Sequence, residues 1–227
     1  LLSSDIVVAI VSIGFLTFTA TAIDTVTQAA GVQIGELRGT DATIFISTTT
    51  SPLVEEFGFR MCIIGLVALA LALGTGRRAS LRALWRPASV YEGEAARPGR
   101  AYILLVALVA SSGAFGLAHL TSGSGWDAGK LPEAVFGGLV LGYVYIRYGF
   151  HIAVLTHWGV DYLGTAYAFF GEGAHGIPWW SDPGYALQQI VTLDLVYGIG
   201  LFSFLLAAYL GVRRLGGARG PGDASPM

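Results

Sequence analysis

The residues of this chain that could do chemistry are few, and most sit in apolar surroundings. Glu55-Glu56 is followed by a cation at Arg60, inside a run that is otherwise apolar from Ile44 to Leu73. A charged side chain near the centre of a membrane helix costs about 2.5–3.5 kcal/mol on insertion scales, so three charges in such a run imply partners. On a helix Glu56 and Arg60 stand at i and i+4 with the acid first, the favourable order for an ion pair, while Glu55 is turned about 100° away. The spacing predicts one acid neutralised and one left to work. His119 closes Phe115-Gly116-Leu117-Ala118-His119, with the phenyl ring one turn before the imidazole. His157 opens His157-Trp158-Gly159-Val160-Asp161, which sets an imidazole and a carboxyl group on one helix face. A lone helical histidine is usually explained by a hydrogen bond to a neighbour. That explanation weakens for Glu55, Glu56, Arg60, His119, His157 and Asp161 together, because lipid offers little reason to bury them.

A free carboxylate opposite an imidazole in a wet cavity within a membrane can act as a general base. Burial and a nearby cation pull the proton affinity of Glu55 in opposite senses, the setting in which such a base is tuned. Water deprotonated there could attack a carbonyl, and the charge building on its oxygen needs donors, which His157 and the residue one turn later could supply. The chemistry these residues suggest is hydrolysis of a peptide bond in or beside the membrane.

The elements that must position them follow from composition. Hydrophobic residues make up 54% of the 227 and charged residues only 12%; with a mean hydropathy of +0.64 this is an integral membrane protein rather than a soluble domain. Six apolar segments can be read: Asp5 to Ala30, Ala42 to Gly74, Ala101 to Leu120, Leu131 to Tyr148, Phe150 to Phe170 and Tyr185 to Val212. The expected fold is all-α, a polytopic transmembrane bundle of about six spanning helices. Residues 1–212 form one membrane domain with its motif core at 51–164, and residues 213–227 form a flexible cytoplasmic tail. Asp5 to Ala22 ends in small residues like a signal peptide, but it lacks a basic leading region and reads as a helix. The chain opens at Leu1 rather than Met, so a start is expected to have been trimmed.

Charge sets the expected orientation. Arg77, Arg78, Arg82, Arg86, Arg97 and Arg100 crowd one linker and Arg213, Arg214 and Arg219 follow the last segment, so both ends should be cytoplasmic, in the plasma membrane. His175 and the pair Trp179-Trp180 fall in an outer loop, the tryptophans as interfacial anchors. Val90 to Arg100 reads as solvated surface. Gly138 and Gly142, Gly198 and Ser203, and Ala107 and Ser111 are spaced to let helices approach closely. Cys62 is the one cysteine, so no disulfide or thiolate metal cluster is expected. A net charge of -2 says little about partners; no nucleic-acid partner is expected of the membrane domain.

Glu55-Glu56-x-x-x-Arg60, Phe115-x-x-x-His119 and His157-x-x-x-Asp161 occur in this order on apolar helices, and in that respect the chain resembles the CAAX prenyl endopeptidase and bacteriocin-processing family of intramembrane proteases. Each motif alone is weak; the three together across Ser51 to Gly164 are a specific signal. The resemblance implies that Glu55 is the catalytic base, that His119 helps to position the water, and that His157 with Asp161 forms the oxyanion hole, with Glu56 and Arg60 completing the polar core. It implies a metal-independent enzyme acting on a prenylated or hydrophobic peptide, with the lipid bilayer as its other partner. The last motif position is more often Asn in the family members that act on prenylated proteins. An ionised Asp161 would repel an oxyanion, so it is either protonated or fixes the tautomer of His157. The linker between the first two motifs is long for the family, and six apolar segments are two fewer than its usual eight helices.

Three other readings carry distinct expectations. Glu55, His119 and His157 could supply three ligands of a zinc protease, although no His-Glu-x-x-His is present. Ser111-Ser112-Gly113 with His157 could form a rhomboid-like serine dyad. The same buried acids and imidazoles could instead line the path of a proton-coupled transporter, or belong to a ligand-binding immunity protein.

Overall fold

The computed structural model describes residues 4–73, 81–88, 98–166 and 183–217, and these are helical apart from their connections. In chain order they form α1 (Asp5–Ala29), α2 (Asp41–Glu55), a π-helix π1 (Glu56–Gly65), α3 (Leu66–Leu73), a short α4 (Arg82–Trp85), α5 (Pro98–Thr121), α6 (Lys130–Tyr148), α7 (Phe150–Asp161), a second π-helix π2 (Tyr162–Ala166) and α8 (Pro183–Gly217). The described residues of each apolar segment are helical, and the all-helical membrane bundle is the observed fold. Among the described residues four helical stretches are long and apolar enough to cross a bilayer: Asp5–Ala29, Asp41–Leu73, Gly99–Thr121 and Asp194–Arg213. About six spans were expected. α6 carries Lys130, Glu133 and Arg147 within its 19 residues, and α7 has only 12 before the helical register changes. α8 runs on through Gly217, past the expected start of the tail. The expectations for His175, for Trp179 and Trp180, for residues 90–97 and for residues 218–227 lie outside the described residues.

α2, π1 and α3 form one unbroken stretch, and the chemistry of its sequence fits lipid. Thr40 caps it, its hydroxyl accepting from the Thr43 amide at 3.3 Å. The hydroxyls of Thr48, Thr49 and Thr50 donate back to the carbonyls of Ile44, Phe45 and Ile46 at 2.9, 2.7 and 2.8 Å, so a run of polar residues exposes no unmet donor to hydrocarbon. Pro52 lacks the N–H that would close a turn on Thr48. Beyond Glu55 the ladder widens to the i→i+5 pattern of a π-helix, a form that is rare and often marks a functional site.

Small residues set the spacing of the bundle. A methyl group added at Gly138 on α6 would stand 2.9 Å from the Ser112 Cα on α5, and one at Gly142 would collide with Leu108. The α5–α6 seam is therefore built on the glycines expected to form it. On α8 the glycine at the crossing is Gly200, not Gly198. Gly14 of α1 would bring a methyl within 3.0 Å of the Val196 carbonyl and 3.1 Å of the Gly200 amide, whereas Gly198 meets nothing.

The linker after α3 is not wholly solvated. Ala83 and Pro87 are buried, the Tyr145 hydroxyl donates to the Leu84 carbonyl, and Arg86 Nε donates to the Arg147 carbonyl at 3.0 Å. Trp85 stacks on His151 with ring centroids 5.7 Å apart. These contacts clamp the sharp α6–α7 turn, which Gly149 makes at φ +107, a left-handed conformation that side chains resist. Behind the turn lies the core, where Ile64, Val144, Tyr145, Ile152 and Ala153 pack with Val8 and Ala9 of α1. The seam gives a direct test. Gly138→Ala should destabilise the purified protein by about 1–3 kcal/mol through overpacking, read as a lower Tm in detergent, whereas Gly198→Ala should match or slightly exceed the wild type because its added methyl meets nothing.

Candidate active site

Three stretches deliver the polar side chains to one place: the α2–π1 junction brings Glu55, Glu56 and Arg60, α5 brings Phe115 and His119, and α7 brings His157 and Asp161. Glu56 and Arg60 are fully buried, with Glu56 Oε2 3.1 Å from Arg60 Nε. The contact is an ion pair rather than an aligned hydrogen bond, and the guanidinium lies over the Phe115 ring, its carbon 4.3 Å from the ring centre. A desolvated cation on an aromatic face gains about 2 kcal/mol, which offsets part of the cost of burying it.

The spacing predicted a neutralised Glu56 with Glu55 turned elsewhere. Instead both acids reach the same imidazole. His157 Nδ1 is 2.9 Å from Glu56 Oε1 and His157 Nε2 is 3.7 Å from Glu55 Oε2. A π-helix holds more residues per turn than an α-helix, so successive side chains at this junction diverge by less than the α-helical angle. Facing a carboxylate already paired with Arg60, Nδ1 is the donor. Glu56 therefore fixes the orientation and tautomer of His157, a task the sequence offered to Asp161. Asp161 lies on the other side of the ring, with Oδ1 3.7 Å from Nε2 and Oδ2 accepting from the Ser51 hydroxyl at 3.4 Å.

His119 faces the same hollow from α5. Its Nδ1 donates to the Phe115 carbonyl at 2.9 Å, which leaves Nε2 as the ring's acceptor. Phe115 is the shared wall: its ring meets His119 edge-on at 4.7 Å, His157 at 5.7 Å and Phe59 at 5.3 Å. The Ser111 hydroxyl donates to the Phe59 carbonyl at 2.6 Å, pinning α5 to π1 at this level. A cavity of ≈ 60 Å³ opens between α1, α5, α6 and α7, with His119, His157 and Asp161 in its lining. A water needs about 10–15 Å³ measured this way, so there is room for about four. Glu55 borders the imidazole rather than the cavity, and its side chain is 29% exposed.

Sequence reasoning missed five contributors. Ser51 sits one turn before Glu55, a signal that it shares the face of that acid. Lys130 and Glu133, 2.6 Å apart, line the far end of the cavity, and Leu16 and Ala20 bring α1 to its wall; only the fold reveals these. The serine dyad finds no support, because Ser112 donates to its own helix at Leu108 (2.7 Å) and packs against Gly138. Among the described residues no group of three or more His, Cys, Asp or Glu side chains is arranged to hold a metal ion.

The buried pair carries its own expectation. Arg60→Met leaves Glu56 without its cation and should cost about 3–5 kcal/mol of stability, and the double variant Glu56→Gln/Arg60→Met should recover part of that loss. Thermal unfolding in detergent measures both, and a double variant no more stable than Arg60→Met would contradict the pairing.

No curated protein and no solved structure matches the chain. It does match the family described as Type II CAAX prenyl endopeptidase Rce1-like over residues 40–163, a span that holds all three motifs and every side chain of the polar cluster. That span exceeds half the chain, and this protein belongs to that family of membrane endopeptidases.

Proposed function

We propose that the chain hydrolyses a peptide bond of a prenylated or otherwise hydrophobic peptide, using a water made nucleophilic by Glu55. The observation that carries this reading is the position of Glu55, whose partly exposed carboxylate stands 3.7 Å from His157 Nε2 while its neighbour Glu56 is sealed away with Arg60. Glu55 takes a proton from water as the water oxygen bonds to the carbonyl carbon, and the carbonyl electron pair moves onto oxygen. His119, through Nε2, orients that water. Protonated Asp161, and the Nε2–H of a His157 that carries a proton on both nitrogens, stabilise the developing charge. The carbon–nitrogen bond then breaks and the amine leaves with the proton that Glu55 had gained, so the acid is restored. Glu56 and Arg60 hold His157 in place throughout.

The walls of the cavity favour an apolar substrate. Leu16, Ala20, Ala134, Phe136, Leu141 and Val160 line it beside the polar end, and apolar walls with a few placed polar groups suit a hydrophobic ligand. The mechanism requires no metal; zinc held by Glu55, His119 and His157 is the competing chemistry.

Two experiments test this reading. Glu55→Gln and His119→Ala should each lower the cleavage rate of a quenched farnesylated peptide by about 10²–10⁴-fold, the usual contribution of general acid–base catalysis, with an unchanged circular dichroism spectrum. A Glu55→Gln protein that cuts at the wild-type rate sinks the assignment. Separately, wild-type protein treated with a zinc chelator and desalted should keep its full rate; loss of activity that added zinc restores would select the metalloprotease instead.

A further inference from the structure

Five consecutive residues of α2, Ser47 to Ser51, carry hydroxyl groups, and four of them find a partner on their own helix. Ser47 and Thr48 donate to the Ile44 carbonyl at 3.0 and 2.9 Å, Thr49 to the Phe45 carbonyl at 2.7 Å and Thr50 to the Ile46 carbonyl at 2.8 Å. A bond back to the preceding turn is the simplest way to satisfy a hydroxyl on a membrane helix, because that acceptor is always within reach. Ser51 departs from the pattern. Its hydroxyl crosses to α7 and donates to Asp161 Oδ2 at 3.4 Å. A contact of that length adds little as a tether between helices. What it decides is which oxygen of the carboxyl group accepts.

A protonated carboxyl group has one oxygen that donates and one that accepts. With the Ser51 hydroxyl directed at Oδ2, the accepting role falls to Oδ2 and the proton to Oδ1, the oxygen 3.7 Å from His157 Nε2. Two donors at that separation can both reach one oxygen at about 2.7–3.1 Å, the distance at which charge developing on a carbonyl is stabilised. Little else holds the carboxyl group in this sense. Its terminal torsion is broad and two-fold, Asp161 stands where α7 widens into π2, and its side chain is 25% exposed. We propose that Ser51 is a positioning residue: by occupying Oδ2 it fixes the Asp161 proton on Oδ1 beside His157 Nε2, so that both donors converge on one oxygen of the substrate. The proposal rests on the proteolytic reading of the same site. It extends to an amide at this position, since in Asp161→Asn only the carbonyl oxygen can accept from Ser51, which turns the NH2 group towards the reacting space.

The test uses purified full-length protein and a quenched farnesylated peptide. Ser51→Ala should lower kcat by about 5–10-fold, within what one hydrogen bond commands, with KM unchanged and no loss of helicity, since alanine is the best helix former. In an Asp161→Ala background the same substitution should cost nothing further, whereas in Asp161→Asn it should lower kcat again. A wild-type kcat in Ser51→Ala, a loss that appears in KM instead, or a loss that persists undiminished in Asp161→Ala overturns the positioning role. A second measurement needs no proteolysis. The infrared C=O stretch of the protonated Asp161 carboxyl group, taken as the band that Asp161→Asn removes, should move to higher frequency in Ser51→Ala because its carbonyl oxygen loses a donor. The absence of such a band, or one that stays in place, also overturns the proposal, whereas a band that shifts in a protein that cuts no peptide keeps the role of Ser51 at Asp161 and removes the proteolytic reading alone.

Discussion

The structure depends on a charge that cannot be left alone. Arg60 is fully buried in a membrane bundle, where an uncompensated cation is far more costly than at a surface. Glu56 supplies the opposite charge and Phe115 the electron-rich face. Because Glu56 has a second oxygen to satisfy, it draws His157 Nδ1 to 2.9 Å, and the position of α7 follows. One compensated charge thus fixes three helical elements against one another. The three motifs are in that sense also a scaffold, since removing the polar core would remove the reason α5 and α7 meet π1 at this depth.

Helices can be held so closely only where their side chains permit it. Gly138 and Gly142 let α5 lie against α6, which carries Phe115 to Arg60. The α6–α7 turn is clamped from outside by Leu84, Trp85 and Arg86, and α7 then returns along α6 with His157 facing the acids. Membrane helices gain little from the hydrophobic effect against one another, so van der Waals contact at small residues and a few polar contacts must do the ordering. Both are concentrated around the buried polar cluster.

Much of this was legible before any coordinates. The helical bundle follows from apolar runs, and the Glu56–Arg60 pair follows from a spacing that holds in either helical register. The facing of Glu55 was misjudged, since hydropathy does not reveal where an α-helix gives way to a π-helix. The spacing points to Gly198 and Ser203, whereas Gly200 makes the crossing with α1. Two residues apart on a helix means opposite sides, and nothing local says which side meets α1. The docking of Leu81 to Pro87 was invisible because an arginine-rich interruption looks alike whether it is solvated or clamped. The far end of the cavity, at Lys130 and Glu133, is assembled from tertiary contacts that no local pattern encodes.

The neighbouring acids illustrate how burial divides labour between identical side chains. Glu56 has no exposed surface and two partners, Arg60 on one oxygen and His157 on the other, so its carboxylate is committed to the fold. Glu55 keeps 29% of its side-chain surface and touches the ring only at 3.7 Å, beyond a hydrogen bond. A general base must exchange protons with water during each turnover, which requires a group that water reaches and whose protonation does not unpick the fold. Only the first acid of the pair meets both conditions. The change of helical register between the two residues is what separates them, sealing one side chain while its neighbour stays accessible.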